Sequence, residues 1–245
     1  MIKIIRSIRG LIFSLFFFLW LLVLTVFGFP LLIFPRMWTI RAVQGWLWVV
    51  LKALKYICGV SHEVRGRENI PKDAAIIASK HQSAWETFFL MMTLHDPAFV
   101  MKKELLYVPF YGWYVWKSGH IAINRAGGAK SLKMMVAEAR KRLDAGRQII
   151  IFPQGTRVKP GHAHKYQAGT AAIYSALDVP VVPVALNSGV FWHKRQLAKQ
   201  PGTIVIEFLP ALPPKMDKRE FLKTLEAVIE GKSNSFNPEL VQRQP

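Results

Sequence analysis

Apolar and polar positions divide the chain into two regimes. Leu11 to Phe34 runs 24 residues without a charge. A second apolar stretch, Gln44 to Val60, carries Trp46 and Trp48 with Lys52 and Lys55. From Ser61 onward acidic residues appear, and short apolar runs alternate with amphipathic ones. The short runs predict strands at 74–79, 97–101, 120–124, 148–152, 181–186 and 203–209, with an edge strand at His62 to Gly66. The amphipathic runs predict helices at 84–94, 109–117, 128–145, 169–178 and 217–230. This alternation predicts an α/β fold, a central mixed sheet flanked by helices. Residues 1–60 read as an N-terminal membrane-embedded helical hairpin, 61–232 as the α/β domain, and 233–245 as a polar, flexible tail.

Gly28, Pro30 and Pro35 interrupt the long apolar run and leave a clean helix from Leu11 to Phe27. Such a helix spans about 25 Å, short of a hydrocarbon core of about 30 Å. A signal peptide competes, since a basic start precedes the apolar run, but no small-residue cleavage site follows it. Residues 1–60 hold Lys3, Arg6, Arg9, Arg36, Arg41, Lys52 and Lys55 and no acidic residue. Positive charge on both flanks gives little orientation bias for a single span. It suits a hairpin that dips into one leaflet and returns, both ends on the cytoplasmic face of the inner (plasma) membrane.

Charge narrows the partners. The net charge of +18 calls for an anionic one: nucleic acid, an anionic membrane or phosphorylated substrates. Nucleic acid is disfavoured, because no recognition motif is found and basic residues gather beside an apolar segment, which favours anionic lipid. Cys58 is the only cysteine, which excludes an intrachain disulfide and a cysteine metal cluster. His162 and His164 have no acidic or cysteine neighbour in sequence and read as part of a basic loop, so no metal is expected.

Two strand-to-loop exits carry candidate chemistry. After the run Ala74 to Ala78 come Ser79-Lys80-His81-Gln82-Ser83-Ala84-Trp85-Glu86. His81 stands at a strand end, where α/β folds place ligand sites. Glu86, in the first turn of the next helix, can fold back onto the imidazole and fix its tautomer. Ser83 to Glu86 also fits a capping box with Ser83 as N-cap, and spacing alone favours that reading of Glu86. After Gln148 to Phe152 comes Pro153-Gln154-Gly155-Thr156-Arg157. Backbone N–H groups near Gly155, the Thr156 hydroxyl and the Arg157 fork would make an oxyanion or phosphate site, or simply a tight turn with a solvated arginine.

Taken together, these exits resemble the glycerolipid acyltransferase family, and look like bacterial 1-acyl-glycerol-3-phosphate acyltransferases. Four blocks are matched in order: His81 to Glu86 for H-x-x-x-x-D, Gly119 to Arg125, Phe152 to Arg157 for F-P-E-G-T-R, and Val179 to Val184. The resemblance covers roughly residues 60–210, and the N-terminal hairpin looks similar too. Glu86 departs from the family's Asp, and Gln154 from its Glu. The resemblance implies acyl transfer from an acyl-CoA or acyl carrier protein thioester to lysophosphatidic acid, giving phosphatidic acid, with no cofactor. His81, oriented by Glu86, would be the base. No G-x-S-x-G elbow is present, which favours direct transfer over an acyl-enzyme. Arg125 and Arg157, with Gln154, Gly155 and Thr156, would bind the acceptor; Lys102 and Lys103 would add positive potential or simply be solvated; and Val181, Val182 and Pro183 read as core strand first and, by the resemblance, would lie near the acyl chain. Another lyso-lipid acceptor, such as lyso-ornithine lipid, or a non-catalytic lipid-binding module are the alternatives.

Overall fold

The computed structural model describes residues 1–193, 196–237 and 239. Seven strands form one sheet: β1 (Val60–Arg65), β2 (Ala75–Ser79), β3 (Pro97–Lys102), β4 (Ile121–Ile123), β5 (Gln148–Ile151), β6 (Val181–Leu186) and β7 (Gly202–Phe208). Their spatial order is β1-β7-β6-β2-β5-β3-β4. All neighbours are parallel except β6 and β7, so the sheet is mixed, as the alternation predicts.

Helices cover both faces, which explains why the inner strands read as continuous apolar runs rather than alternating ones. Ile77, Ile150 and Val182 face α2 (Arg36–Cys58) and α3 (Trp85–Thr93). Ile76, Ile149 and Val181 face the opposite layer, α5 (Gly128–Asp144), α6 (Ala168–Ala176) and α8 (Lys218–Ser235). Further helices are α1 (Ile2–Phe27), α4 (Tyr111–Lys117) and the short α7 (Ser188–Phe191). Asp217 caps α8, its Oδ1 accepting from the Arg219 N–H at 2.8 Å. That helix runs through Ser235, so the start of the expected tail is helical, and Ser233 is buried with its hydroxyl on the Leu186 N–H. Most of the remainder of that tail lies outside the described residues.

The N-terminal segment differs from expectation in two ways. Helix α1 begins at Ile2 and has 26 residues, because Lys3, Arg6 and Arg9 continue a helix as readily as apolar residues do. At about 39 Å it is long enough to cross a hydrocarbon core, so the length argument against a span does not hold. Its apolar side chains are mostly exposed. Helix α2 does return antiparallel-fashion as a hairpin arm after a turn at Phe29–Leu32, but its apolar face is core: Ile40, Leu47, Val50, Leu51 and Leu54 are buried. Arg36, which reads in sequence as a membrane-flanking charge, forms a bidentate pair with Asp96. Asp96 also accepts from Arg147 Nε at 3.1 Å.

Candidate active site

Parallel pairing brings the strand exits to one edge. Strand β2 lies between β5 and β6, with Ile77 level with both Ile150 and Val182. The loops that leave β2, β5 and β6 therefore emerge side by side, and β4 exits at the same edge beyond β3. His81, the 153–157 loop, Asn187-Ser188 and Arg125 follow those four strands.

The imidazole of His81 is fixed from two sides. Its Nδ1 is 2.8 Å from Glu86 Oε1, and its ring stacks on Phe152 at 3.9 Å between centroids. A carboxylate accepts, so Nδ1 carries the proton and Nε2 keeps its lone pair. The backbone of His81 is held by the other loop: its N–H faces Gln154 Oε1 at 3.4 Å and its carbonyl accepts from the Val158 N–H at 2.8 Å.

Glu86 has no exposed surface. Its Oε1 also accepts from the Gln82 and Ser83 N–H groups at 2.6 and 2.7 Å. Its Oε2 accepts from the Ser83 and Ser188 hydroxyls at 2.8 and 2.7 Å. Burial pushes this carboxyl up, but the contacts from His81, Ser188 and Ser83 outweigh it and hold it below the usual carboxylate range. The expected capping box does not form: Ala84, not Ser83, precedes α3 and makes no side-chain cap, and the Glu86 carboxylate instead takes the loop N–H groups of Gln82 and Ser83 together with the imidazole. The Ser83 hydroxyl accepts from the Trp85 N–H at 3.0 Å.

A cavity of about 400 Å³ opens on the far side of Phe152 and Gln154, the residues that contact His81, and neither His81 nor Glu86 lines it. Phe152, Gln154, Gly155, Thr156 and Arg125 line it, with Asn124 and the start of α5 at Gly128. Its apolar wall is Val100, Ile123, Leu132, Met135 and Ile151. The Thr170 hydroxyl is buried there without a hydrogen-bond partner among the described residues. His81 adjoins the cavity through Phe152 and Gln154.

The expected residues divide between the cavity and places outside it. The Gly155 N–H bonds the Phe152 carbonyl at 2.9 Å, so it closes a turn instead of donating into the cavity. Gly155 has φ of 68°, a left-handed conformation that other residues resist. Arg125 donates to the Gly155 carbonyl, tying the two loops together. Arg157 is exposed and does not line the cavity. Lys102 is exposed at the end of β3, and Lys103 opens a 3-10 turn. Val181, Val182 and Pro183 are buried inside β6, and neither valine faces the cavity; both belong to the core layers. Ser188, 102 residues from Glu86, was not legible in sequence, since nothing local marks a serine after a strand as a carboxylate partner. His164, read as part of a basic loop, lines the cavity.

A family model described as Acyltransferase matches residues 61–187, just over half of the chain. This chain belongs to the acyltransferase family. The 1-acyl-sn-glycerol-3-phosphate acyltransferase of Pseudomonas aeruginosa is 41% identical to it over 170 residues, 69% of this chain and 66% of that protein. Human 1-acyl-sn-glycerol-3-phosphate acyltransferase alpha is 27% identical over 168 residues, 67% of this chain and 59% of that one. The chain spans between about half and two thirds of the length of the curated relatives it matches. The crystal structure of the LPA acyltransferase PlsC from Thermotoga maritima superposes with a TM-score of 0.77, covering 94% of this chain and 97% of that one at 24% identity. That likeness extends the acyltransferase fold through the N-terminal hairpin.

Proposed function

We propose that this acyltransferase moves a fatty-acyl group from an acyl thioester to the sn-2 hydroxyl of 1-acyl-glycerol-3-phosphate, giving phosphatidic acid. The observation that carries the reading is the His81–Glu86 pair set across Phe152 and Gln154 from a cavity with a cationic rim and an apolar wall. His81 Nε2 takes the hydroxyl proton as the oxygen attacks the thioester carbonyl. The carbon–oxygen bond forms, the carbon–sulfur bond breaks, and the leaving thiolate takes the proton back from the imidazolium. Glu86 keeps its charge throughout and stabilises the imidazolium. Arg125 and the N-terminal end of α5, whose first turn lacks acidic residues, favour the acceptor's phosphate at the rim.

The surface supports delivery from a membrane. Exposed apolar residues run along α1 and continue at Phe29, Phe110 and Trp113, whose rings contact one another. Tyr107 and Trp116, in the same 103–117 segment, are exposed as well. We place this face in a leaflet with anionic lipids, the cytoplasmic one of the inner membrane, so that the lyso-lipid reaches the cavity without leaving the bilayer.

The experiment is acyl transfer in detergent with labelled acyl-CoA or acyl-acyl carrier protein, offered 1-acyl-glycerol-3-phosphate and lyso-ornithine lipid in parallel. Labelled phosphatidic acid as the dominant product supports the reading, and the donor comparison identifies the thioester. Transfer only to the phosphate-free acceptor contradicts it.

A further inference from the structure

Beside His81 lies a buried charged group that the transfer scheme leaves unused. Lys80, the preceding residue, is 1% exposed. Its ammonium pairs with Glu230, 150 residues later on α8. The other oxygen of Glu230 accepts from Gln154 Nε2 at 3.2 Å and from the Tyr166 hydroxyl at 3.0 Å. Gln154 is also 1% exposed, and its Oε1 faces the His81 N–H at 3.4 Å. One carboxylate from the C-terminal helix thus reaches both sides of the catalytic loop: Lys80 in front of His81, and the amide that its N–H meets.

The chemistry at 154 follows from this. An amide offers a donor at one end and an acceptor at the other. Here the donor end meets the Glu230 carboxylate and the acceptor end meets the His81 N–H. A carboxylate at 154 would face the Glu230 carboxylate at hydrogen-bond distance, so the two would repel unless one took up a proton. Glutamine at this place and a glutamate on α8 are therefore complementary. Burial lowers the Lys80 ammonium from its ordinary value, and Glu230 opposes that shift, with Glu226 one turn away adding to it. Without Glu230, Lys80 would be a buried cation without its carboxylate and the Gln154 amide would lose its acceptor.

We propose that Glu230 is a positioning residue for acyl transfer, fixing the His81 loop from α8 through Lys80 and Gln154. The inference rests on the reaction assigned above. It assigns α8 a part in the site, although that helix lies far from the four blocks in sequence.

The test is a four-way comparison of the parent, Glu230→Gln, Gln154→Glu and the double variant, each measured for kcat and thermal melting, with His81→Ala as the inactive baseline. Each single variant is expected to lose about tenfold or more in kcat, since residues in one buried network act together. The double variant exchanges the positions of one amide and one carboxylate, and is expected to return to within about threefold of the parent. Single variants that melt lower but keep the parent's kcat would reduce Glu230 to a structural role and overturn the proposal. So would a double variant that does not fold, or one no faster than the poorer single. A parent with no more transfer than His81→Ala would overturn the reaction itself and this proposal with it, whereas an active parent with an unrescued double overturns this proposal alone.

Discussion

His81 Nδ1 stands 2.8 Å from Oε1 of Glu86, a carboxylate with no exposed surface and four further donors around it. The pair is therefore set before substrate arrives. An imidazole held this way presents Nε2 as acceptor and has a counter-charge for the proton it takes. Glu86→Gln removes the counter-charge and offers a donor to Nδ1, favouring the wrong tautomer. It is expected to cut kcat about 10²- to 10⁴-fold with little change in KM for the acceptor. Steady-state kinetics on the variant checks this; a change confined to KM would contradict it.

Arg125 has a separable part. It lines the cavity rim and holds the Gly155 carbonyl, away from the imidazole. Arg125→Ala is expected to raise KM for 1-acyl-glycerol-3-phosphate about tenfold or more, because a charge-assisted contact to phosphate is lost. The effect should shrink for an acceptor without phosphate. Equal losses for both acceptors, read from parallel titrations, would place the phosphate elsewhere.

The membrane face can be weakened without touching the site. Tyr107 and Trp116 are 76% and 73% exposed. Replacing both with serine is expected to lower partition onto vesicles containing anionic lipid by up to about 10³-fold, since each buried aromatic contributes about 2 kcal/mol and each 1.4 kcal/mol is tenfold. Co-sedimentation with vesicles measures it. Unchanged partition would remove this patch from the docking face.

His120 gives the fold an acid limit. Burial, then the charge of Arg147, pushes its imidazole down to about 3, although Asp96 opposes them. Its Nδ1 accepts from the Phe99 N–H at 3.3 Å, which needs the neutral ring. The unfolded chain takes up this proton near pH 6.5, while the folded chain resists until far lower. The contribution is complete above about pH 6.5 and is lost as pH falls toward 3, at up to about 1.4 kcal/mol per unit. Denaturant melts between pH 7 and 4 should show a shallower pH slope in His120→Gln. An identical slope would contradict this assignment.

The strands and both strand-exit loops are legible in sequence because burial on two faces leaves continuous apolar runs, as at Ile76-Ile77 and Ile149-Ile150, and because a parallel sheet sends successive exits to one edge. The His81–Glu86 contact is legible because five residues of chain span it. Ser188, Glu230 and the Arg36–Asp96 pair are not, because they join residues distant in sequence and leave no periodic trace. The same holds for α2: its tryptophan-rich, basic-flanked sequence suits a membrane arm as well as a core helix, and only its packing on α3 separates the two. Val181 to Pro183 are buried in β6, as their apolar run predicts, and a place near the acyl chain rests on the resemblance alone.

The account turns on His81, and its removal is the most direct measurement. Purified parent and His81→Ala would be compared at saturating acyl thioester and 1-acyl-glycerol-3-phosphate, with melting temperature as the check on folding. A folded variant whose kcat falls by about 10²-fold or more is the predicted result. A folded His81→Ala enzyme that turns over at near the parent's rate would contradict it, and would place the base elsewhere.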